Sequence, residues 1–130
     1  HQQWDFISGA GTGGTLMGIH EYVSNMSAQE RTRHRVIQVS PSEDASSHGI
    51  QGINDGSDFL LDKSLISNQI QVSTQESIDA ARSFAKSHGF LVGISSGANL
   101  VASRKYLLKN PHRKVVTLLC DRGERYFSIL

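Results

Sequence analysis

Several features that would direct the chain to a particular class of protein are scarce or missing. It has one cysteine, Cys120, so it cannot form an intrachain disulfide. It contains no apolar run near the ~20 residues that a transmembrane helix needs, and no signal-peptide pattern. Thirteen basic residues stand against twelve acidic ones, and this balance lacks the positive footprint of a nucleic-acid-binding protein. We therefore expect a cytoplasmic protein with no nucleic-acid or membrane partner.

The sequence also offers few candidates for metal ligands or for a catalytic nucleophile. The six histidines are scattered, and no pair has the spacing of metal ligands. The basic cluster at residues 31–35 is typical of a solvated loop between a helix and a strand. Cys120 ends an apolar run, so we expect it to belong to the buried core rather than to act as a nucleophile.

Apolar segments alternate between the periods of strands and helices. The pattern predicts a single α/β domain over residues 1–130, with a three-layer, doubly wound and mostly parallel sheet. Predicted strands lie at residues 4–8, 35–40, 70–72, 91–94 and 114–120. Predicted helices cover residues 13–25, a segment from Ser73 to Gly89, and a segment from the turn at 95–98 to about Leu108. The last predicted strand is apolar on both faces, which is typical of a central parallel strand.

Glycine-containing turns follow three of the predicted strands, at residues 11–15, 95–97 and 121–123. Ligands of open α/β sheets bind at the carboxyl ends of the strands. We therefore expect these three turns to gather at one edge of the sheet and to form a binding site there.

The first turn, Gly-Thr-Gly-Gly-Thr at residues 11–15, has the composition of an anion-binding loop. Glycines allow close approach of the backbone, and a helix start offers N–H donors and partial positive charge. The turn also matches a dinucleotide-binding glycine pattern. That pattern expects an acidic residue at the end of the second strand, whereas this strand ends with Ser40. A phosphate group is favoured over a nicotinamide dinucleotide, although a tight turn without a ligand stays open.

The other turns are less specific by themselves. Gly-Ile-Ser-Ser-Gly at residues 93–97 could be an ordinary helix cap, because serine is a common N-cap residue. Asp121, which follows the apolar strand, could be an ion-paired strand end. Gln51 could be a solvated loop residue, within the long polar loop of residues 41–64.

Taken together, four motifs resemble the cysteine synthase family. Their order and spacing are specific, and the resemblance covers nearly all of the chain. The motifs are Gly-Thr-Gly-Gly-Thr at 11–15, Gly-Ile-Gln-Gly-Ile at 49–53, Gly-Ile-Ser-Ser-Gly at 93–97 and Cys-Asp-Arg-Gly-Glu-Arg-Tyr at 120–126. This family, O-acetylserine sulfhydrylase, belongs to the tryptophan synthase β-like (fold type II) enzymes that use pyridoxal 5′-phosphate. The ending at 120–126 is closer to the B-type isozyme and the middle motif to the A-type, so the isozyme stays open.

The resemblance implies a cofactor and a role for each motif. The cofactor is pyridoxal 5′-phosphate, and Ser95 would face its pyridine nitrogen. Gln51 and Gly52 would lie on the substrate side of the pocket. The implied phosphate-binding residues are Gly11, Thr12, Gly13, Gly14 and Thr15.

The family's Schiff-base lysine lies in a Ser-x-Lys-Asp setting that none of the five lysines has. The sequence therefore indicates the C-terminal part of a longer enzyme, with no catalytic lysine in this chain and no cysteine synthase activity of its own. The resemblance implies an amino-acid substrate, a homodimer for the full-length enzyme, and a serine acetyltransferase tail as a possible partner.

Two alternatives remain open beside a cysteine synthase fragment. One is a related β-replacing or β-eliminating enzyme of the cystathionine β-synthase or diaminopropionate synthase type. The other is a non-catalytic domain that binds phosphate or a partner.

Overall fold

The computed structural model describes residues 3–11, 13–44, 47–50, 53, 60–126 and 128. Its centre is a four-stranded sheet in the order β3-β2-β1-β4, and every ladder between these strands is parallel. The strands are β1 (Asp5–Gly9), β2 (Arg35–Pro41), β3 (Asn68–Val72) and β4 (Val115–Thr117). The parallel sheet confirms the predicted fold class.

Four α-helices connect or flank the strands. They are α1 (Gly14–Ser24), α2 (Ala28–Arg31), α3 (Thr74–His88) and α4 (Ile94–Lys109). Two short 3₁₀ segments, Lys63–Leu65 and Gly123–Tyr126, complete the described elements. Within the described ranges, every helix is too short or too polar to cross a bilayer.

Helix α3 has the boundaries that its sequence predicts. The Ser73 side chain accepts the N–H of Glu76 and the Glu76 side chain accepts the N–H of Ser73, which is a complete capping box. Gly89 ends the helix in the left-handed conformation, with φ 74°. The apolar stripe then points Ile78 and Ala81 into the core.

Helices cover both faces of the sheet, which gives three layers. On one face α1 packs Leu16 against Phe6 and Val36. On the other face α3 and α4 enclose the larger core, and α4 contacts all four strands. Residues of this core include Ile7, Ile37, Val39, Val72, Ile78, Ala98 and Ala102.

The chain changes direction at β1. It runs from β1 through α1 to β2 and β3, and then returns across the sheet through α3 and α4 to β4 on the other side of β1. The crevice between β1 and β4 is therefore a topological switch point, where open α/β sheets bind ligands. The glycine turn after β1 lies at this point.

The prediction of a strand at residues 91–94 is wrong. Val92 forms a single antiparallel bridge with Arg122, and α4 already begins at Ile94. The physical reason is that α3 and α4 pack on the same face of the sheet, so the segment between them turns between two helices and does not enter the sheet. Ser95 and Ser96 consequently lie inside the first turn of α4 rather than in a turn before it.

The predicted central strand at 114–120 is also different in the structure. Only Val115–Thr117 form a strand, and β4 is at the edge of the described sheet, paired with β1 alone. With nothing on its outer side in the described part, Val116, Leu118 and Leu119 are 48%, 41% and 47% exposed. Cys120 is exposed as well, so its predicted place in the core is wrong.

Candidate functional site

The predicted anion-binding loop connects the last residue of β1, Gly9, to the first residue of α1, Gly14. Gly13 is the N-cap and adopts the left-handed conformation, with φ 95°. A side chain at Gly13 would also place its Cβ 2.6 Å from the Cβ of Leu61. Backbone conformation and packing both require glycine here, and they keep the loop close to the helix start.

The surroundings of this loop are suited to a negatively charged group. No described side chain caps the N-terminus of α1, and the first turn contains no acidic residue. Gly14 and Thr15 are exposed. A hollow of about 230 Å³ lies over the loop, lined by Gly9, Ala10, Gly11, Gly13, Gly14, Thr15 and Leu16. Amide donors, a threonine hydroxyl and the positive end of a helix therefore face one small hollow.

Asn99 of α4 connects the loop after β1 to the segment after β4. Its Oδ1 accepts the N–H of Gly9 at 2.9 Å, and its Nδ2 donates to the carbonyl of Leu118 at 2.9 Å. The Asn99 side chain is fully buried. The sequence carries little signal for this role of Asn99, because asparagine in a helix is usually a surface or cap residue.

Two backbone hydrogen bonds join the second and third glycine turns. Gly93 donates to the carbonyl of Asp121 at 2.9 Å, and Gly123 donates to the carbonyl of Leu91 at 2.9 Å. With the bonds of Asn99, they bring the end of β1, the start of α4 and the segment after β4 together at one edge of the sheet.

Ser95 lies in the first turn of α4 and is 6% exposed. Its hydroxyl hydrogen-bonds to the thiol of Cys120. Desolvation raises the pKa of Cys120 and the Asp121 carboxylate raises it further, although the bond to Ser95 opposes them. Cys120 is thus a neutral thiol near pH 7, which disfavours a role as a nucleophile.

Gly97, at the end of the second motif, packs two helices together. A Cβ at this position would lie 2.0 Å from the backbone carbonyl oxygen of Ser77. The glycine therefore allows α4 to approach α3 closely, and nothing about it requires a ligand.

The motif at 49–53 approaches the same edge. Gly49 donates its N–H to Thr74 Oγ1 at 2.9 Å, and Ile50 and Ile53 are buried. A Cβ on Gly9 would lie 2.2 Å from Ile53 Cδ1, so this motif packs directly against the end of β1. Three predicted site residues lie outside the described residues: Thr12, Gln51 and Gly52.

The five lysines all lie at least partly exposed to solvent. Lys105, the least exposed, pairs with Glu76 at 3.0 Å. Within the described ranges no group of three histidine, cysteine or acidic residues could hold a metal ion.

A comparison with protein families gives one match, described as "Pyridoxal-phosphate dependent enzyme", over residues 2–121. The chain belongs to this family. Members of this family are dependent on pyridoxal phosphate.

Relatives and solved structures agree with this membership. Cysteine synthase B of Campylobacter jejuni is 38% identical over 133 residues, covering 95% of this chain and 42% of that protein. O-acetyl serine sulfhydrylase isoform 3 from Entamoeba histolytica has a TM-score of 0.81 at 33% identity, over 97% of this chain and 40% of that one. An O-acetylserine dependent cystathionine beta-synthase from Helicobacter pylori has a TM-score of 0.78 at 30% identity, over 98% and 43%. The chain thus spans about two fifths of the length of these relatives.

The described residues fit the phosphate end of this cofactor. Gly13 adopts the left-handed conformation, and a side chain at this position would collide with Leu61. The residues that line the hollow include no acidic side chain, so nothing in the lining would repel a phosphate. Backbone N–H groups at a helix start are a common phosphate site. The lysines fit the cofactor's aldehyde end less well, because none lies in a buried position.

Proposed function

We propose that this chain is the phosphate-binding part of a cysteine synthase, which converts O-acetylserine and sulfide to cysteine and acetate. The observation that carries the proposal is the hollow over the loop after β1, at the switch point of the sheet. The name and identity of the Campylobacter jejuni relative support the choice of reaction.

In this proposal Gly11, Gly13, Gly14 and Thr15 hold the cofactor phosphate, together with Thr12. Their amides and hydroxyls donate hydrogen bonds, and the start of α1 offsets the negative charge. When bound, pyridoxal phosphate supplies an electron sink that makes loss of the substrate's β-substituent possible. The loop itself does no bond-breaking; it fixes where the ring lies.

We assign Ser95 to the pyridine nitrogen. A serine hydroxyl can donate a hydrogen bond to a neutral ring nitrogen, whereas a carboxylate would hold that nitrogen protonated. A neutral ring withdraws electrons less strongly, which suits replacement at the β-carbon. The buried position of Ser95 in the first turn of α4 supports the assignment, because burial excludes competing water.

The catalytic lysine belongs, in this proposal, to a part of a longer protein outside these 130 residues. The chain by itself should then form no cysteine from O-acetylserine and sulfide. It should also form no borohydride-reducible adduct at one defined lysine when pyridoxal phosphate is added. Substantial cysteine formation by the 130-residue chain would contradict this part of the proposal.

The phosphate assignment can be tested with pyridoxine 5′-phosphate, which has no aldehyde and cannot react with lysines. Titration of the ¹⁵N-labelled chain should shift the amides of Gly13, Gly14, Thr15 and Leu16 saturably, and inorganic phosphate should compete. Pyridoxine without the phosphate is the matched control and should not shift these amides. Shifts confined to the basic residues at 31–35 would contradict the assignment.

A second candidate is β-replacement with a thiol such as homocysteine in place of sulfide. The Helicobacter pylori structure favours it, since its fold similarity to this chain is nearly that of the sulfhydrylase from Entamoeba histolytica. A chimera that joins the N-terminal part of the Campylobacter jejuni enzyme to this chain, assayed with O-acetylserine plus either sulfide or homocysteine, distinguishes the two. The unaltered Campylobacter jejuni enzyme is the control for assembly of the active site.

A further inference from the structure

We propose that Asn99 is a positioning residue that holds the phosphate-binding loop in place. It does so by fixing the end of β1 against the segment that follows β4. The inference rests on the proposed function in one respect only, namely that the loop at residues 11–15 binds phosphate.

The geometry of Asn99 is that of a two-sided clamp. Oδ1 accepts the N–H of Gly9, the last residue of β1, and Nδ2 donates to the carbonyl of Leu118, just beyond β4. Nδ2 also lies 3.6 Å from the sulfur of Cys120. With full burial of the side chain, no water competes for these bonds.

The partners determine which way the amide points. The Gly9 N–H can only donate and the Leu118 carbonyl can only accept, so the oxygen must face Gly9 and the nitrogen must face Leu118. Aspartate could satisfy only the first partner when ionised, and leucine could satisfy neither. The side chain at this position therefore needs one donor and one acceptor at fixed distances, which is a more specific requirement than burial alone.

The location of the clamp connects it to the cofactor site. Gly9 also packs against the side chain of Ile53. The residues that follow Gly9 form the loop that lines the hollow. Asn99 is four residues after Ser95 on α4, so both lie on the same side of the helix. One buried amide thus fixes the phosphate loop relative to the helix that carries the proposed ring contact.

The clamp predicts a local effect that can be measured without any ligand. In Asn99→Leu, hydrogen exchange of two loop amides, those of Gly9 and of Met17, whose N–H donates to the carbonyl of Gly13, should rise at least tenfold relative to the core amide of Ile37. The control is Ser103→Ala, one turn further along α4, whose hydroxyl donates to the Asn99 carbonyl at 2.7 Å. This control should change loop and core amides by the same factor, because it loses a bond that does not reach the loop.

A second variant keeps the test decisive if Asn99→Leu fails to fold. Burial should raise the pKa of a carboxyl in Asn99→Asp. Once protonated, that carboxyl can accept from Gly9 and donate to Leu118, as asparagine does. Protection of the loop amides, corrected for intrinsic exchange, should therefore recover as the pH falls from 8 to 5.5. Unchanged protection across this range, or loop exchange in Asn99→Leu that follows Ile37, would overturn the proposal.

Ligand binding separates this inference from the proposed function. Pyridoxine 5′-phosphate should bind Asn99→Leu about tenfold more weakly than the parent chain, the scale of one lost buried hydrogen bond. If Asn99→Leu binds pyridoxine 5′-phosphate as tightly as the parent chain although its loop amides exchange faster, Asn99 does not support phosphate binding. If the parent chain shows no binding while Asn99→Leu still mobilises the loop, the proposed function fails and the clamp stands.

Discussion

Asp5 and Arg113 form a buried ion pair at the amino end of β1, 108 positions apart in the chain. Arg113 donates from Nε and Nη2 to the two carboxylate oxygens, and its Nη2 also donates to the carbonyl of Arg33 at 2.9 Å. The hydroxyl of Tyr106 and the N–H of Arg35 donate to the same carboxylate. This cluster joins β1, β2, α4 and the segment before β4 at the edge of the sheet opposite the glycine loop that follows β1.

We expect Arg113→Met to destabilise the chain strongly. It would leave the Asp5 carboxylate buried without its cation, which typically costs about 3–5 kcal/mol. Urea unfolding followed by circular dichroism measures the loss. The control is Arg122→Met, which removes an exposed pair with Glu124 and should cost no more than about 1 kcal/mol. Equal effects of the two variants would contradict the role of the buried pair.

The same pair should make stability depend on pH in acid. Burial acts to raise the pKa of Asp5, but the hydrogen bonds from Arg113 and Tyr106 outweigh it and hold the pKa below its ordinary value of 3.8. The carboxylate is therefore more stable as an anion in the folded chain, so its contribution is present above pH 3.8. That contribution is lost as the pH falls further, through the folded pKa.

The double variant Asp5→Leu/Arg113→Met isolates this dependence. It leaves no lone buried charge, so it should be more stable than Arg113→Met alone. Its free energy of unfolding should fall less between pH 5 and pH 3 than that of the parent chain. Glu76 also has a lowered pKa, through its hydrogen bond from Ser73, but it titrates in both proteins and cancels. An identical acid dependence in both proteins would show that Asp5 does not contribute.

Local signals in the sequence were sufficient for much of the fold. The capping box at Ser73 and the glycine at 89 predict the ends of α3 because both act within a few residues. The same type of signal, Ser27 with Glu30, marks the start of the short helix α2. The glycine turn after β1 was predicted for the same reason.

Contacts between distant segments could not be predicted in this way. The edge position of β4 depends on which strands are present beside it, and the apolar run at 114–120 carries no information on that. Asn99 and the Asp5 cluster depend on partners 90 and 108 residues away. The assignments of Gly11, Gly13, Gly14, Thr15 and Ser95 to the cofactor remain predictions that the proposed titrations would test.

Gly97→Ala should separate α3 from α4. Its Cβ would lie 2.0 Å from the carbonyl oxygen of Ser77, a backbone atom that cannot rotate away. Overpacking of this kind typically costs about 1–3 kcal/mol, and here we expect the upper part of that range. Gly89→Ala is the comparison, because Gly89 has a positive φ but nothing lies within 4 Å of an added Cβ. This variant therefore measures backbone strain alone, which we expect to cost about 1–2 kcal/mol. A crosslink or distance probe between the helices should change only in Gly97→Ala.

Gly13→Ala should abolish phosphate binding while the rest of the fold persists. Its φ of 95° disfavours any side chain by about 1–2 kcal/mol, and the contact with Leu61 forces the loop away from the start of α1. Gly18→Ala, in the middle of the same helix with nothing within 4 Å of the added Cβ, is the matched control. It should stabilise the chain by about 0.5–1 kcal/mol and leave the affinity for pyridoxine 5′-phosphate unchanged. Calorimetric titration of both variants decides the matter, since parent-like affinity in Gly13→Ala would mean that the anion binds elsewhere.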